Sequence, residues 1–209
     1  MKITERRGRD KEDIKLLILN AAKKLFIERG IEFTTIRNIA DEIHYSVGTV
    51  YVYFSDKNAI LYEIMQTGFI ELRHYLEDSL IVNDPYEQLG CLADGYIKFA
   101  LENNELYDLM FIMSAPMQFI KQYKNGEWNE GRETFHFLEI VVERCINAGY
   151  FNHKNLKELS LIFWGLVHGI SSLYIRKRID VLDTDEVEAT IKSSIHTFLQ
   201  MIKAEEKSD

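Results

Sequence analysis

Ser46-Val47-Gly48-Thr49-Val50-Tyr51-Val52-Tyr53 is a run of eight residues without a charge. Val50 and Phe54 stand four apart and make one apolar edge at helical spacing, which leaves Val47, Gly48, Thr49, Tyr51 and Tyr53 on or near the other face. A solvated helix presents Lys and Glu to water. A helix that enters a nucleic-acid groove needs short polar groups, methyls and phenols that can approach base edges and phosphates. Just upstream, Ile36, Ile39, Ala40 and Ile43 repeat at helical spacing, and Thr34 or Thr35 stands where a cap belongs. His44-Tyr45-Ser46 breaks the two patterns apart. The spacing therefore predicts a helix-turn-helix whose second helix reads DNA, although periodicity alone fits two packed helices of any all-helical protein equally well.

Ser46-Val47-Gly48-Thr49-Val50-Tyr51-Val52-Tyr53-Phe54-Ser55-Asp56-Lys57 resembles the recognition segment Ser-x-Gly-Thr-x-Tyr-x-x-Phe-x-x-Lys of the TetR family of bacterial transcriptional repressors. Ala21, Phe26, Gly30, Thr35, Ile36, Ile39 and Ala40 match the family's spacing upstream, so the resemblance covers roughly the first third of the chain. It implies a three-helix DNA-binding domain followed by a larger helical domain that binds a small molecule and dimerises. By the same resemblance Thr35 and Arg37 contact DNA from the second helix, Ser46, Val47, Gly48, Thr49, Tyr51 and Tyr53 do so from the recognition helix, and Lys57 meets phosphate at the start of the fourth. The residue types suit those roles: Arg37 and Lys57 can displace counterions, hydroxyls reach phosphate oxygens, and Gly48 lets the backbone come close. Two departures stand out. His44 occupies a turn position where the family has Gly and positive φ is expected, and Val47 replaces a frequent Lys with a methyl surface suited to thymine.

With 209 residues and 46% apolar content, the chain can bury a sizeable core, in two small helical domains or one large one. Pro85 and Pro116 are its two prolines, and no alternating β-branched runs occur, so the expected class is all-α, with about nine helices. The net charge of −8 is unevenly spread. Residues 1–57 hold eleven Lys and Arg against nine acids, a balance of +2, and the remainder carries −10. That segregation turns the less acidic end toward phosphate. Arg6, Arg7 and Arg9 form a basic arm that either reaches a minor groove or is a solvated tail. Cys91 and Cys145 lack metal spacing and read as reduced core residues of a cytoplasmic protein. The charged amino terminus does not read as a signal peptide, and no uninterrupted apolar run nears the roughly 20 residues that cross a bilayer, so no membrane partner is expected.

Capping chemistry divides the chain. A first helix runs from Asp10 to Gly30 with Ile14, Leu17, Ile18, Ala21, Ala22, Leu25 and Phe26 inward, and Ser55 caps a fourth helix reaching about Leu80. Asp84-Pro85-Tyr86-Glu87 opens a fifth. A short sixth follows Asn104, and a seventh begins at about Glu127 or Gly131 and ends at Gly149. Asn155 caps an eighth to about Ile179, and Asp183-Thr184-Asp185-Glu186 opens a ninth to about Lys203. The domains expected are residues 1–56 for DNA binding and 57–209 for ligand binding and dimerisation.

In the eighth helix Trp164-Gly165-Leu166-Val167-His168-Gly169 resembles the carboxy-terminal domain type of the TetR family named for its Trp-His-Gly pattern. Gly165, Gly169 and Ser172 lie along one side, where another backbone can approach. With Ile191, Ile195 and Phe198 of the ninth helix they are the expected dimer interface, a four-helix contact with twofold symmetry; closing the chain's own core is the alternative use of these stripes. The middle of the chain is rich in aromatics and Met, which are core residues in most proteins and can line an apolar cavity. The resemblance favours a cavity, with Phe111, Met117, Trp128, Phe163 and His168 as the ligand contacts selected. No catalytic motif, cofactor loop or metal-ligand spacing occurs, so neither enzyme activity nor a cofactor is expected. The function expected is a repressor released from a palindromic operator by a small apolar or amphipathic effector. The alternative is a small-molecule-binding dimer whose helix-turn-helix is a protein-interaction or non-specific DNA surface.

Overall fold

Nine α-helices form among the described residues, which are 3–113 and 129–204 of a computed structural model, with side chains from residues 11 and 130 onward in the two stretches. They are α1 (Ile3–Arg29), α2 (Ile36–Glu42), α3 (Val47–Tyr53), α4 (Lys57–Leu76), α5 (Pro85–Glu102), α6 (Asn104–Tyr107), α7 (Asn129–Asn147), α8 (Leu156–Ile175) and α9 (Val187–Ile202). No strand occurs among these residues. The chain divides into two compact units: Met1–Gly68 with Leu109–Trp128, and Phe69–Asp108 with Asn129–Asp209. The division falls inside α4 rather than before it, because the first turns of that helix bury Ile60, Leu61, Ile64 and Met65 in the amino-terminal unit.

In that unit α1 supplies Ile18, Ala22, Leu25 and Phe26, α2 supplies Ile39 and Ala40, and α3 supplies Val50. Truncating a fully buried ring such as Phe26 to Ala costs about 3–5 kcal/mol. An ion pair of 2.6 Å from Lys15 to Glu63 joins α1 to α4. Two expectations for α1 are corrected. It begins at Ile3 rather than Asp10, and Leu17 is 46% exposed, because the apolar stripe passes through Ile18 and Ala21–Ala22 and leaves Leu16 and Leu17 on the solvent side. Asp56, not Ser55, caps α4: its Oδ1 accepts from the Asn58 and Ala59 backbone N–H groups at 2.8 and 2.9 Å.

In the second unit α5 packs against α7, α8 and α9. Asp84 caps α5 as expected, accepting from the N–H groups of Tyr86 and Glu87, and the Tyr150 hydroxyl donates to its other oxygen. Those bonds, the Tyr150 one foremost, hold the Asp84 carboxyl below its ordinary pKa. Lys203 lies over the rings of Tyr86 and Tyr150 at 5.1 and 5.6 Å and pins the end of α9 beside this cap. Cys145 is a buried free thiol pushed up to about 12 by burial, as a reduced core residue should be, and Cys91 is half-buried.

Three helix ends differ from expectation. After α4 the chain tightens into a 3₁₀ turn, Glu77–Ile81. α8 stops at Ile175, where Lys177 takes a positive φ of 52°, and a separate 3₁₀ turn covers Ile179–Leu182. The acidic run 183–186 makes no capping box; Thr184 instead accepts from the Glu186 N–H, and Asp183 turns left-handed at φ 46°. α6 continues into a π-helical turn, Asp108–Ile112. Finally, α8 is long and apolar enough to span a membrane by length and composition. Gly, Ser and His punctuate its Leu, Ile, Phe and Trp, so no uninterrupted apolar run marks it in the sequence.

Candidate nucleic-acid interface and effector site

The helix-turn-helix is fixed by local hydrogen bonds. Thr35 caps α2 in a closed box: its hydroxyl accepts from the Asn38 N–H at 3.2 Å and donates to Asn38 Oδ1 at 2.7 Å, and that oxygen also accepts the Thr35 N–H. Thr34 is buried, and its hydroxyl donates to the carbonyls of Leu25 and Gly30. At the other end of α2 the chain turns through a Schellman motif, with Tyr45 N–H on the Ala40 carbonyl and His44 N–H on that of Asp41. His44 has φ 58°, the left-handed conformation expected where relatives carry Gly.

Ser46 then caps α3, its Oγ accepting the Thr49 N–H at 3.0 Å and lying 2.9 Å from the Thr49 hydroxyl. Val50 and Phe54 are buried and anchor the helix. At about 100° per residue, the arc opposite Val50 runs from Val47 through Tyr51 and Gly48 to Val52. All four are exposed, Val52 at 73%. Thr49 and Tyr53 are half-buried at its edge, and Arg37 is exposed on α2. A Cβ built on Gly48 would meet only Ser46 Oγ, at 3.6 Å, and Gly48 has no positive φ. Nothing among the described residues requires a glycine there.

Six of the nine residues expected to face DNA thus lie on one helix and its cap, but their chemistry is graded. The Thr35, Ser46 and Thr49 hydroxyls are already bonded within the chain. Lys57 donates from Nζ to the Ile31 carbonyl at 2.5 Å, tethering the loop after α1 to the start of α4. Val52 joins this face in addition to the expected residues. Its helical angle, about 40° from Gly48, was the signal that could have found it.

In the second unit the Trp-x-x-x-His spacing acquires a physical meaning. The Trp164 ring lies 5.9 Å from that of His168, and Tyr96 projects from α5 beside them. Tyr96 lies 3.0 Å from the Tyr107 hydroxyl of α6, and Tyr107 lies 2.7 Å from His168 Nδ1. Trp164 and His168, one turn apart on α8, therefore lie beside a tyrosine pair that His168 closes at one end. Burial lowers the His168 pKa, pushes Tyr96 up to about 12 and raises Tyr107 further, so every member is neutral near pH 7. The His168 ring places Nδ1 on the Tyr107 hydroxyl and Nε2 3.5 Å from the Ser172 hydroxyl. Of the other residues expected to line a ligand, Phe163 is buried between Phe151 and Phe198, Phe111 is half-buried in the π-helical turn, and Met117 and Trp128 lie outside the described residues.

The outer face of α8 is apolar and exposed. Leu161, Ser172, Gly165, Gly169, Ile162 and Leu173 fall within an arc of about 120°, with Leu161 59% exposed. A Cβ on Gly165 or Gly169 would meet nothing within 4 Å. Ile191 and Ile195 do not belong to this surface: each is 1% exposed, packed in the chain's own core with Leu199, and Phe198 is half-buried against Phe163. The α9 stripe that reaches solvent is Ser194, Thr197 and Met201.

Comparison with known proteins agrees with the fold. Residues 18–64 match the family described as bacterial regulatory proteins, tetR family, and residues 89–198 match the tetracyclin repressor-like C-terminal domain. The uncharacterized HTH-type transcriptional regulator YfiR of Bacillus subtilis (strain 168) is 36% identical over 194 residues, spanning 88% of this chain and 90% of that protein. Among solved structures, the ketosteroid transcriptional regulator KstR2 of Mycobacterium tuberculosis superposes with a TM-score of 0.70 at 18% identity, covering 98% of each chain. The fatty acid degradation regulator FadR of Bacillus halodurans gives 0.70 at 15% identity, over 93% of this chain and 97% of its own. With its amino-terminal helix-turn-helix, its helical second domain and a relative matched over nearly its whole length, this chain belongs to the TetR family of DNA-binding transcriptional regulators and is not an enzyme.

Proposed function

We propose that this chain represses transcription as a homodimer and leaves a palindromic operator when a small amphipathic molecule enters its second domain. The observation that carries the DNA reading is Gly48. A helical glycine costs about 0.5–1 kcal/mol relative to alanine, and here no internal contact accounts for it, so the demand comes from a surface outside the chain approaching α3 closely. Exposed Val47, Tyr51 and Val52 beside it and the cation of Arg37 suit a major groove flanked by phosphates.

The same reasoning applied to Gly165 and Gly169 supports pairing of two subunits through the apolar face of α8, with the Ser194–Thr197–Met201 stripe of α9 alongside. Twofold pairing would let two α3 helices address half-sites about one DNA turn, ~34 Å, apart. For the effector, the Tyr96–Tyr107–His168 chain with the Trp164 ring beside it offers neutral hydrogen-bonding groups among aromatic rings, which suits an apolar molecule with one polar end. Fatty acids and ketosteroids, for which two of the structural neighbours are named, are molecules of that kind. Release would follow if effector binding favoured a subunit arrangement whose half-site spacing no longer fits the operator.

The test is selection of genomic fragments by the purified protein at physiological salt, read by sequencing. A short palindromic site is the expected result. Enrichment of bulk DNA without a site would instead favour a small-molecule-binding dimer whose helix-turn-helix serves another surface.

A further inference from the structure

The composition of α3 constrains which bases it can read. Guanine is read by Arg or Lys, adenine by Asn or Gln, and cytosine by Asp or Glu, each through hydrogen bonds in the major groove; thymine also offers a C5-methyl group that apolar side chains contact. α3 reads Val-Gly-Thr-Val-Tyr-Val-Tyr, with no amide, carboxylate, ammonium or guanidinium. The hydroxyls of its cap, Ser46 and Thr49, are bonded to one another. What the exposed arc holds out is two isopropyl groups, Val47 and Val52, at its two rims, with bare Gly48 between them and Tyr51 beside Val47. Gly48 allows the helix axis to sink toward the base edges, and that depth brings short valine side chains within reach of the groove floor.

We infer that this protein recognises its operator chiefly through thymine methyl groups, with Val47 and Val52 as the specificity-determining residues and the hydrogen-bond code of the bases largely unread by α3. The inference rests on the reading of α3 as the operator-binding helix and extends it to the class of DNA sequence: half-sites that place thymines opposite both rims of the arc. Affinity, as distinct from selectivity, then comes from phosphate contacts by hydroxyls and by cations such as Arg37.

Deoxyuridine differs from thymidine only by that methyl group, which makes the test direct. Each thymidine of the selected operator duplex is replaced in turn by deoxyuridine, and the dissociation constant is measured at fixed salt. Burial of one methyl is worth about fourfold in affinity, so about fourfold weakening is expected at one or two positions per half-site, with the salt dependence unchanged. Val52→Ala or Val47→Ala should bind the thymidine operator more weakly and lose the thymidine-over-deoxyuridine preference at one of those positions each. Both residues are exposed, so neither substitution threatens the fold. Deoxyuridine tolerated everywhere on an operator that is still bound selectively would overturn the methyl readout and leave the repressor reading standing. Absence of any selective binding would remove the repressor reading, and this inference with it.

Discussion

Gly48→Ala separates folding from recognition at a single atom. Within the chain the new Cβ meets Ser46 Oγ at 3.6 Å, an ordinary van der Waals distance, and the backbone there is right-handed, so neither clash nor strain opposes it. Alanine removes the entropic penalty of a helical glycine, about 0.5–1 kcal/mol, and the lower figure suits a position one residue into a seven-residue helix. For proteins of this size the full range corresponds to a rise of about 1–4 °C in the melting temperature. At the DNA surface the same methyl occupies the point of closest backbone approach. Retreat of α3 by even ~1 Å weakens contacts along the whole helix, and loss of about 1.4 kcal/mol per half-site means about tenfold weaker binding of each half-site and about a hundredfold for a dimer on both. Thermal unfolding by circular dichroism and fluorescence anisotropy on the selected operator measure the two quantities on one sample. The expected outcome is a more stable protein that binds DNA worse. A variant that binds the operator as tightly as its parent would show that no surface approaches Gly48, and a less stable one would mean that α3 needs glycine for an internal reason.

Other substitutions probe the remaining surfaces. Gly165→Leu adds a side chain where the single chain has open space, so the subunit should fold while its pairing weakens; sedimentation should show a monomer, and an unchanged dimer would place the interface elsewhere. Lys57→Ala removes the tether to the Ile31 carbonyl, costing about 1 kcal/mol of stability for a partly exposed charged hydrogen bond, and should lower the salt slope of operator binding by about one if the ammonium also meets phosphate. His168 has its pKa lowered from 6.5 by burial, so the unfolded chain takes up its proton first; stability should be full above about pH 6.5 and decline as pH falls toward the depressed value. A His168→Gln variant should flatten that decline in a melting series between pH 7.5 and ~5, and an identical slope would remove the assignment.

The parts of the fold legible in the sequence are those specified by local chemistry. Thr35, Asp84 and Asn155 announce helix starts with side-chain acceptors, and Gly30 and Gly149 announce stops with positive φ. His44 shows that such a stop can be read even without glycine, from the residues on either side. Helix starts are ambiguous where two acceptors compete within one or two residues, as Ser55 and Asp56 do, or where an acidic run resembles a cap yet the chain turns left-handed at Asp183. Burial was harder. Both Ile191 and Ile195 obey the same periodicity whether a helix packs on its own chain or on another, and only tertiary placement decides between them. The Trp-x-x-x-His spacing is visible, but the tyrosine pair that meets His168 comes from α5 and α6, far away in the chain, and spacing does not reveal it.

If two subunits pair through the outer face of α8 as proposed, that face ties abundance to folding. Covering an arc of leucine, isoleucine and glycine with a second copy then adds stability that is governed by mass action. On this footing the melting temperature falls on dilution, and a cell making few copies holds a larger fraction as lone, protease-sensitive subunits than one making many. Each halving of supply then removes more than half of the competent regulator, so the control point responds to its own dosage more steeply than a monomeric DNA-binding protein would.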